Sequence, residues 1–323
     1  MTRPLLYRIL TILALLAGFL VPQGAWSQNY PNRPIRLIVP YGPGGNTDIV
    51  ARVYGQKLSE RLGQPVVFDN RGGAAGTLGV ALAAQAPNDG YTLVIGDIGS
   101  MVIANHSIAS LPYQATKDFA PIGLLSTVSL VVTTHPRSGL TSLQDVLNRA
   151  RAQPGKLSYG SSGIGSPGHL ATALLLSMAK VDMLHVPFKG GAQAVSGLLG
   201  EQVDMLIDGS AVAQVTGGRL KAIAVTGQRL AALPDVPGIG EIVPGYGFTN
   251  WWGLLAPAGT TADIVARLNA ELQTISAMPD VRERLLGLGL AATSGSQQQF
   301  ADHLRGETEK VARVVKEANI KFE

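Results

Sequence analysis

Apolar and polar positions along the first hundred residues switch between two periods. Ile35-Arg36-Leu37-Ile38-Val39 is a short run rich in branched residues and predicts a buried strand. Pro40-Tyr41-Gly42-Pro43-Gly44-Gly45 predicts a turn, after which Ile49, Val50, Val53, Leu58 and Leu62 recur at helical spacing. Asn46 or Thr47 stands where a side-chain oxygen would cap that helix, and Gly44 and Gly45 let main-chain N–H groups approach a bound group. A helix start of this kind attracts anions. The pattern then predicts a strand over 66–68, a Gly/Ala-rich turn over 69–76, a helix over 78–86 and, after Asp89-Gly90, a strand over 91–95. Strands separated by helices imply right-handed crossovers in a parallel sheet. Residues 99–111 carry no period and are predicted irregular.

The second region repeats this grammar. A helix over 141–152, capped by Thr141 or Ser142, precedes a strand over 156–159 and the loop Gly160-Ser161-Ser162-Gly163-Ile164-Gly165-Ser166-Pro167-Gly168-His169. Leu170, Leu174, Leu175 and Met178 mark the following helix, and Ser166-Pro167 is a strong start for it: the hydroxyl caps while proline takes the position whose N–H would be unpaired anyway. Strands are predicted over 183–186, 203–207 and 220–225, a helix over 192–199, and only helices (262–276, 279–286, 297–319) beyond Pro257. Long extended runs over 119–134 and 248–257 divide the chain into two α/β lobes, the first built from 28–125 and 252–323, the second from 126–251, with a two-strand hinge.

Composition adds compartment. Arg3 and Arg8 precede an apolar run, 9–21, that ends at Pro22 and the small-residue site Ala25-Trp26-Ser27. This is the pattern of a secretory signal cut after Ser27, and the run is shorter than the roughly 20 residues a spanning helix needs. Without Arg3 and Arg8, 24 basic residues face 22 acidic ones, too weak and too evenly spread a surplus for nucleic acid. The chain has no cysteine, so neither disulfides nor a lipid-modified cysteine nor thiolate chemistry is available.

Candidate chemistry is sparse. Gly163-Ile164-Gly165-Ser166-Pro167-Gly168 fits G-x-G-x-x-G, but Asp182, at the expected distance, precedes the next strand rather than ending it. Ser161, Ser162, His169 and Asp208 form a conceivable hydrolase set, although serines in a turn more often cap helices and hold anions. His106, His135, His169, His185 and His303 show no metal-ligand spacing, so neither metal nor cofactor is expected, and His169 is read as packing or hydrogen-bonding in its helix's first turn, with direct contact to a ligand the lesser alternative. Asp48 is read as favouring its helix dipole rather than as a base. Trp251 and Trp252 face opposite sides of an extended segment, one towards the core and one towards the cleft. Two classes fit: an exported solute-binding protein, or an exported hydrolase acting on a small ester or amide.

Six blocks carry a resemblance. Residues 40–48, Asn70-Arg71-Gly72-Gly73-Ala74-Ala75-Gly76-Thr77, Pro87-Asn88-Asp89-Gly90-Tyr91-Thr92-Leu93, residues 159–170, His185-Val186-Pro187-Phe188-Lys189-Gly190 and residues 253–259 together resemble the substrate-binding proteins of tripartite tricarboxylate transporters, the TctC or Bug type. The resemblance implies a two-lobed periplasmic-binding-protein fold of type II, closing as a monomer on a small carboxylate in the periplasm and serving a large and a small membrane permease subunit. It also implies that Tyr41, Gly44, Gly45, Asn46 and Asp48, then Ala74, Ala75 and Gly76, then Ser161, Ser162, Gly165, Ser166 and His169 surround one ligand carboxylate, with Asp208 an acidic position after a cleft strand. The chain departs from the family at Gly197, where an acidic residue is common, and at His135-Pro136, where asparagine precedes the proline.

Overall fold

Branched residues build the first sheet. In a computed structural model that describes residues 30–317 and Ile320, β1 (Ile35–Val39) is buried almost throughout and lies parallel to β2 (Val66–Asn70) on one side and β3 (Thr92–Asp97) on the other. The expected signal segment and its cleavage site lie outside the described residues. Helix α1 (Asn46–Leu62) follows the glycine-rich loop and packs on β1 and β2, while α2 (Thr77–Ala84) packs on β1 and β3. Of the two long strands that follow, β10 (Asn250–Pro257) runs antiparallel to both its neighbours, β3 and β4 (Phe119–Val128), so that β4 points the same way as β1–β3. The sheet order is β11-β4-β10-β3-β1-β2, with β11 (Ala291–Ala292) a two-residue edge. The sheet is therefore mixed rather than parallel, because β10 and β11 run against the other four strands.

The second sheet has the order β7-β6-β8-β5-β9, from β5 (Val131–Thr134), β6 (Ser158–Ser161), β7 (Leu184–Pro187), β8 (Met205–Asp208) and β9 (Lys221–Val225). β6, β7 and β8 are parallel, and β5 runs antiparallel to β8 and β9. α3 (Leu143–Ala152) begins with a capping box in which Ser142 and Asp145 satisfy each other's backbone N–H groups, as the Thr141-Ser142 reading allows. α4 (Pro167–Ala179) packs on β6 and β8, and α5 (Gly191–Leu199) on the same two strands. Gly197 of α5 accommodates the Phe188 ring, which fills the space a side chain would need. At His135, Nδ1 accepts the Arg137 N–H at 3.2 Å, so this residue caps the 136–138 turn.

The two sheets meet where β4 passes into β5 and residues 226–250 return. The Leu130 N–H donates to Thr226 Oγ1 at 2.9 Å, the Thr226 N–H to Leu130 O at 2.9 Å, and the Phe248 N–H to Thr226 O at 3.0 Å. The helices α6 (Ala262–Ala277), α7 (Pro279–Leu286) and α8 (Gln297–Glu317) complete the chain, interrupted by β11 rather than uniformly helical. α8 packs on β4 of the first sheet and also on α4 of the second. One continuous apolar cluster joins Ile38, Val94 and Leu255 to Val132, Ile207 and Ile223.

Two sequence expectations are corrected. Residues 99–107 are helical, a π-helical turn (Gly99–Ile103) running into Ala104–Ser107, and Ser100, Met101, Val102 and Ile103 are all buried. Trp251 and Trp252 are both buried, so neither walls a cleft: Trp251 meets Phe300 edge-on at 5.7 Å, and Trp252 Nε1 donates to Thr47 Oγ1 at 2.8 Å. A central strand covered on both faces hides both side chains.

Candidate functional site

Loops at the carboxyl ends of the parallel strands converge between the sheets. The loop after β1 supplies Tyr41 and Asn46, the loop after β2 Ala75, the end of β3 Asp97, the loop after β6 residues 162–168, and the end of β8 Asp208. In open α/β sheets this is where ligands sit. Two adjoining cavities result, of about 250 Å³ and 390 Å³, sharing Ser162, Pro167 and Asn250 as a common wall.

The common wall faces the starts of two helices. Asn46, the first residue of α1, and Pro167 and Gly168, the first two of α4, line the larger cavity, so N-terminal ends from both lobes point at it. Such ends present partial positive charge and unpaired N–H groups. Ser166 caps α4, its Oγ accepting the His169 N–H at 3.3 Å, as the Ser-Pro signature predicts. The start of α1 is built differently. Its N-cap is Gly45, without a side-chain bond, rather than Asn46 or Thr47; Asp48 Oδ2 instead accepts the Gly44 N–H at 2.9 Å, and the Thr47 hydroxyl accepts from Trp252. Ser162, Asn46 and the Asn250 amide nitrogen make no side-chain hydrogen bond among the described residues, which leaves their donors for a solute.

Of the residues expected from sequence, Tyr41, Ala75, Ser162, Gly165 and Ser166 line the smaller cavity, and Asn46, Ser162 and Asp208 the larger. The others line neither. Asp48 is buried in the first turn of α1, taking hydrogen bonds from Gly44, Arg52 and Asn70 that outweigh burial and hold its carboxyl below the usual range. The Gly44 N–H is thus spoken for, and a side chain at Gly44 or Gly45 would meet only open space. Ala74 and Gly76 shape the turn that presents Ala75: both have positive φ, Gly76 lies against the Tyr41 ring, and Ala75 O accepts from Tyr41 OH at 3.1 Å. Ser161 is fully buried, its hydroxyl turned into the lobe between Gly163 O at 3.0 Å and His185 Nε2 at 2.7 Å. His169 is buried too. Its Nδ1 accepts the Gly165 N–H at 3.0 Å and its ring stacks on His185 with centroids 4.0 Å apart.

Four wall residues with polar side chains escape the sequence reading: Asp97, Ser107, Ser210 and Asn250. Asp97 Oδ1 accepts from the Ser100 N–H at 2.7 Å, Ser100 Oγ at 2.8 Å and Tyr41 OH at 3.1 Å, yet complete burial pushes its carboxyl up. Burial, followed by the charge of Asp97, pushes the Tyr41 phenol well above its ordinary value. The rule that cleft residues end parallel strands points to Asp97 from sequence; Asn250 has no local signal, since it lies at a crossing between lobes. No group of three or more metal-ligating side chains occurs among the described residues.

Comparison with known proteins comes from sequence and structure alike. The family described as "Tripartite tricarboxylate transporter family receptor" matches residues 50–320. A UPF0065 protein in the tcbD-tcbE intergenic region of Pseudomonas sp. strain P51 is 41% identical over 293 residues, 89% of this chain and 87% of that one. Among solved structures, R. palustris Rpa4515 with adipate superposes with a TM-score of 0.79 at 33% identity, over 90% of this chain and 99% of that one. MatC from Rhodopseudomonas palustris with bound malate gives 0.74 at 32%, over 88% and 100%.

Proposed function

Because this chain belongs to the tripartite tricarboxylate transporter receptor family, we propose that it is an exported solute-binding protein that takes a small carboxylate between two lobes and delivers it to a large and a small permease subunit. Residues 1–27 act as the signal, cut after Ser27; 28–125 with 252–323 and 126–251 move as lobes; and the mature protein works in the periplasm as a monomer, without catalysis or cofactor.

The observation that carries this reading is the common wall. Ser162 and Asn250 offer unbonded donors beside the starts of α1 and α4. A carboxylate held there accepts hydrogen bonds from both lobes, so its binding favours the closed form by the difference in contacts between the two states. The adipate and malate named for the two R. palustris proteins are acids of suitable size for cavities of 250–390 Å³. Against the hydrolase reading, the serine that has an imidazole in reach, Ser161, is buried away from both cavities.

A thermal-shift panel of carboxylic acids with their primary amides tests the proposal. A ligand bound only by the folded protein adds about 2.7 kcal/mol at a hundred times its dissociation constant. An acid is expected to raise the melting temperature and its amide to leave it unchanged; equal shifts from both, or turnover of a small ester, would favour the alternative.

A further inference from the structure

A third cavity lies behind the loop that follows β6. It measures about 540 Å³, more than either cleft cavity, and is bounded by α4, β6, β7 and the last residue of α8. With the smaller cleft cavity it shares Ile164, and with the larger no residue. One wall is a row of rings. Tyr159 and His185 are register partners on the parallel strands β6 and β7, so their side chains leave the same face of the sheet, with ring centres 4.8 Å apart. His169, in the first turn of α4, stacks on His185.

The polar groups of this cavity lack partners. Tyr159 and His169 are only 4% and 7% exposed, yet the Tyr159 hydroxyl and His169 Nε2 make no hydrogen bond among the described residues, and both atoms remain accessible. Because His169 Nδ1 accepts the Gly165 N–H, Nε2 carries the proton and is a donor. Lys180, Asp182 and Glu317, the exposed charged residues of the lining, enter no ion pair among the described residues. The buried end is neutral. Burial, then Asp182, pushes the Tyr159 phenol up, and burial, then His185, pushes the His169 imidazole down.

We propose that this cavity is a second ligand site, separate from the cleft, and that it takes a small uncharged phenol: the ring packs on the wall of Tyr159, His185 and His169, and the hydroxyl meets the Tyr159 hydroxyl and His169 Nε2–H. A flat ring gains offset or edge contacts with such a wall. A hydroxyl both accepts and donates, so it satisfies the imidazole N–H and the tyrosine together. A charged group at this depth would lose its hydration beside two neutral partners. The volume falls within the range of about 300–1,000 Å³ usual for small-molecule sites. An occupant here also bears on the cleft loop, since a bond to Nε2–H holds the tautomer on which the Gly165 bond depends.

NMR titration of the isotope-labelled protein with phenol, cyclohexanol, toluene and benzylamine tests this. None of the four is an acid, so the outcome does not depend on the carboxylate reading of the cleft. Phenol is expected to bind at least tenfold tighter than each of the others and to shift the Gly165 amide signal. Tyr159→Phe, which removes a hydroxyl without a partner, is expected to melt like the native protein and to bind phenol fivefold or more weakly. Ser177→Phe, which fills the cavity from α4, is expected to abolish binding. Failure of phenol to bind, equal binding of any of the other three, an unmoved Gly165 signal, or phenol affinity unchanged in either folded variant would overturn the proposal.

Discussion

His169 shows how a residue in the cleft loop serves the lobe behind it. Burial, then the neighbouring His185, lower its pKa to about 4, and the Gly165 N–H on Nδ1 fixes its remaining proton on Nε2. The unfolded chain takes up a proton near pH 6.5 and the folded chain only near 4, so the stability contributed is complete above about 6.5 and lost as pH falls towards 4. At about 1.36 kcal/mol per unit this is on the order of 3 kcal/mol. Urea denaturation at pH 7 and pH 5 is expected to show a clear loss of stability in the native protein and a shallower one in His169→Gln; identical pH dependence in the two would contradict the assignment. Asp97 acts with the opposite sign, since burial raises its folded pKa and its contribution shrinks as pH rises above 3.8. Ser166→Ala is expected to cost about 0.5–2 kcal/mol, the value of an N-cap, measured by thermal melting. The cap was legible because its partners lie three residues apart. The burial of Ser161 was not, because the imidazole that turns its hydroxyl inward comes from His185 on the next strand.

At the scale of elements, local pattern identified the units whose one face is apolar and missed those buried all round. The helical stretch over 99–107 shows no period because Ser100, Met101, Val102, Ile103 and Ala104 are buried one after another, and a helical turn hidden on every side shows no amphipathic stripe. Both tryptophans of β10 were misplaced for the same reason: alternation predicts an open face only if the strand has one. The position of α4 depends on Gly168, whose missing side chain lets the helix start press against the Ile207 carbonyl of β8. Gly168→Ala would place a Cβ on that oxygen and push the helix start off the common wall. A loss of about 2–4 kcal/mol is expected in thermal melting, together with weaker acid binding in titration, and native stability in this variant would show that the close approach is not needed.

The whole molecule combines two sheets with one continuous core, because α8 packs on β4 and on α4. Native unfolding is therefore expected to be a single calorimetric transition, and two separable transitions would contradict a shared core. If the lobes close as proposed, the movement is expected to be bending where β4 meets β5 and residues 226–250 return, with α8 sliding on α4 rather than separating from it. The absence of cysteine makes the movement directly observable, since spin labels attach only where cysteines are introduced. Leu78, on α2, is 60% exposed, and Leu184, on β7 of the other sheet, is 59% exposed, so both tolerate substitution. The most direct measurement is the dipolar distance distribution of a doubly labelled Leu78→Cys, Leu184→Cys protein, alone, with a saturating acid from the thermal-shift panel, and with its amide. A solute gripped by both lobes shifts and narrows the distribution with the acid and leaves it unchanged with the amide; the same distribution in all three samples would contradict the clamp.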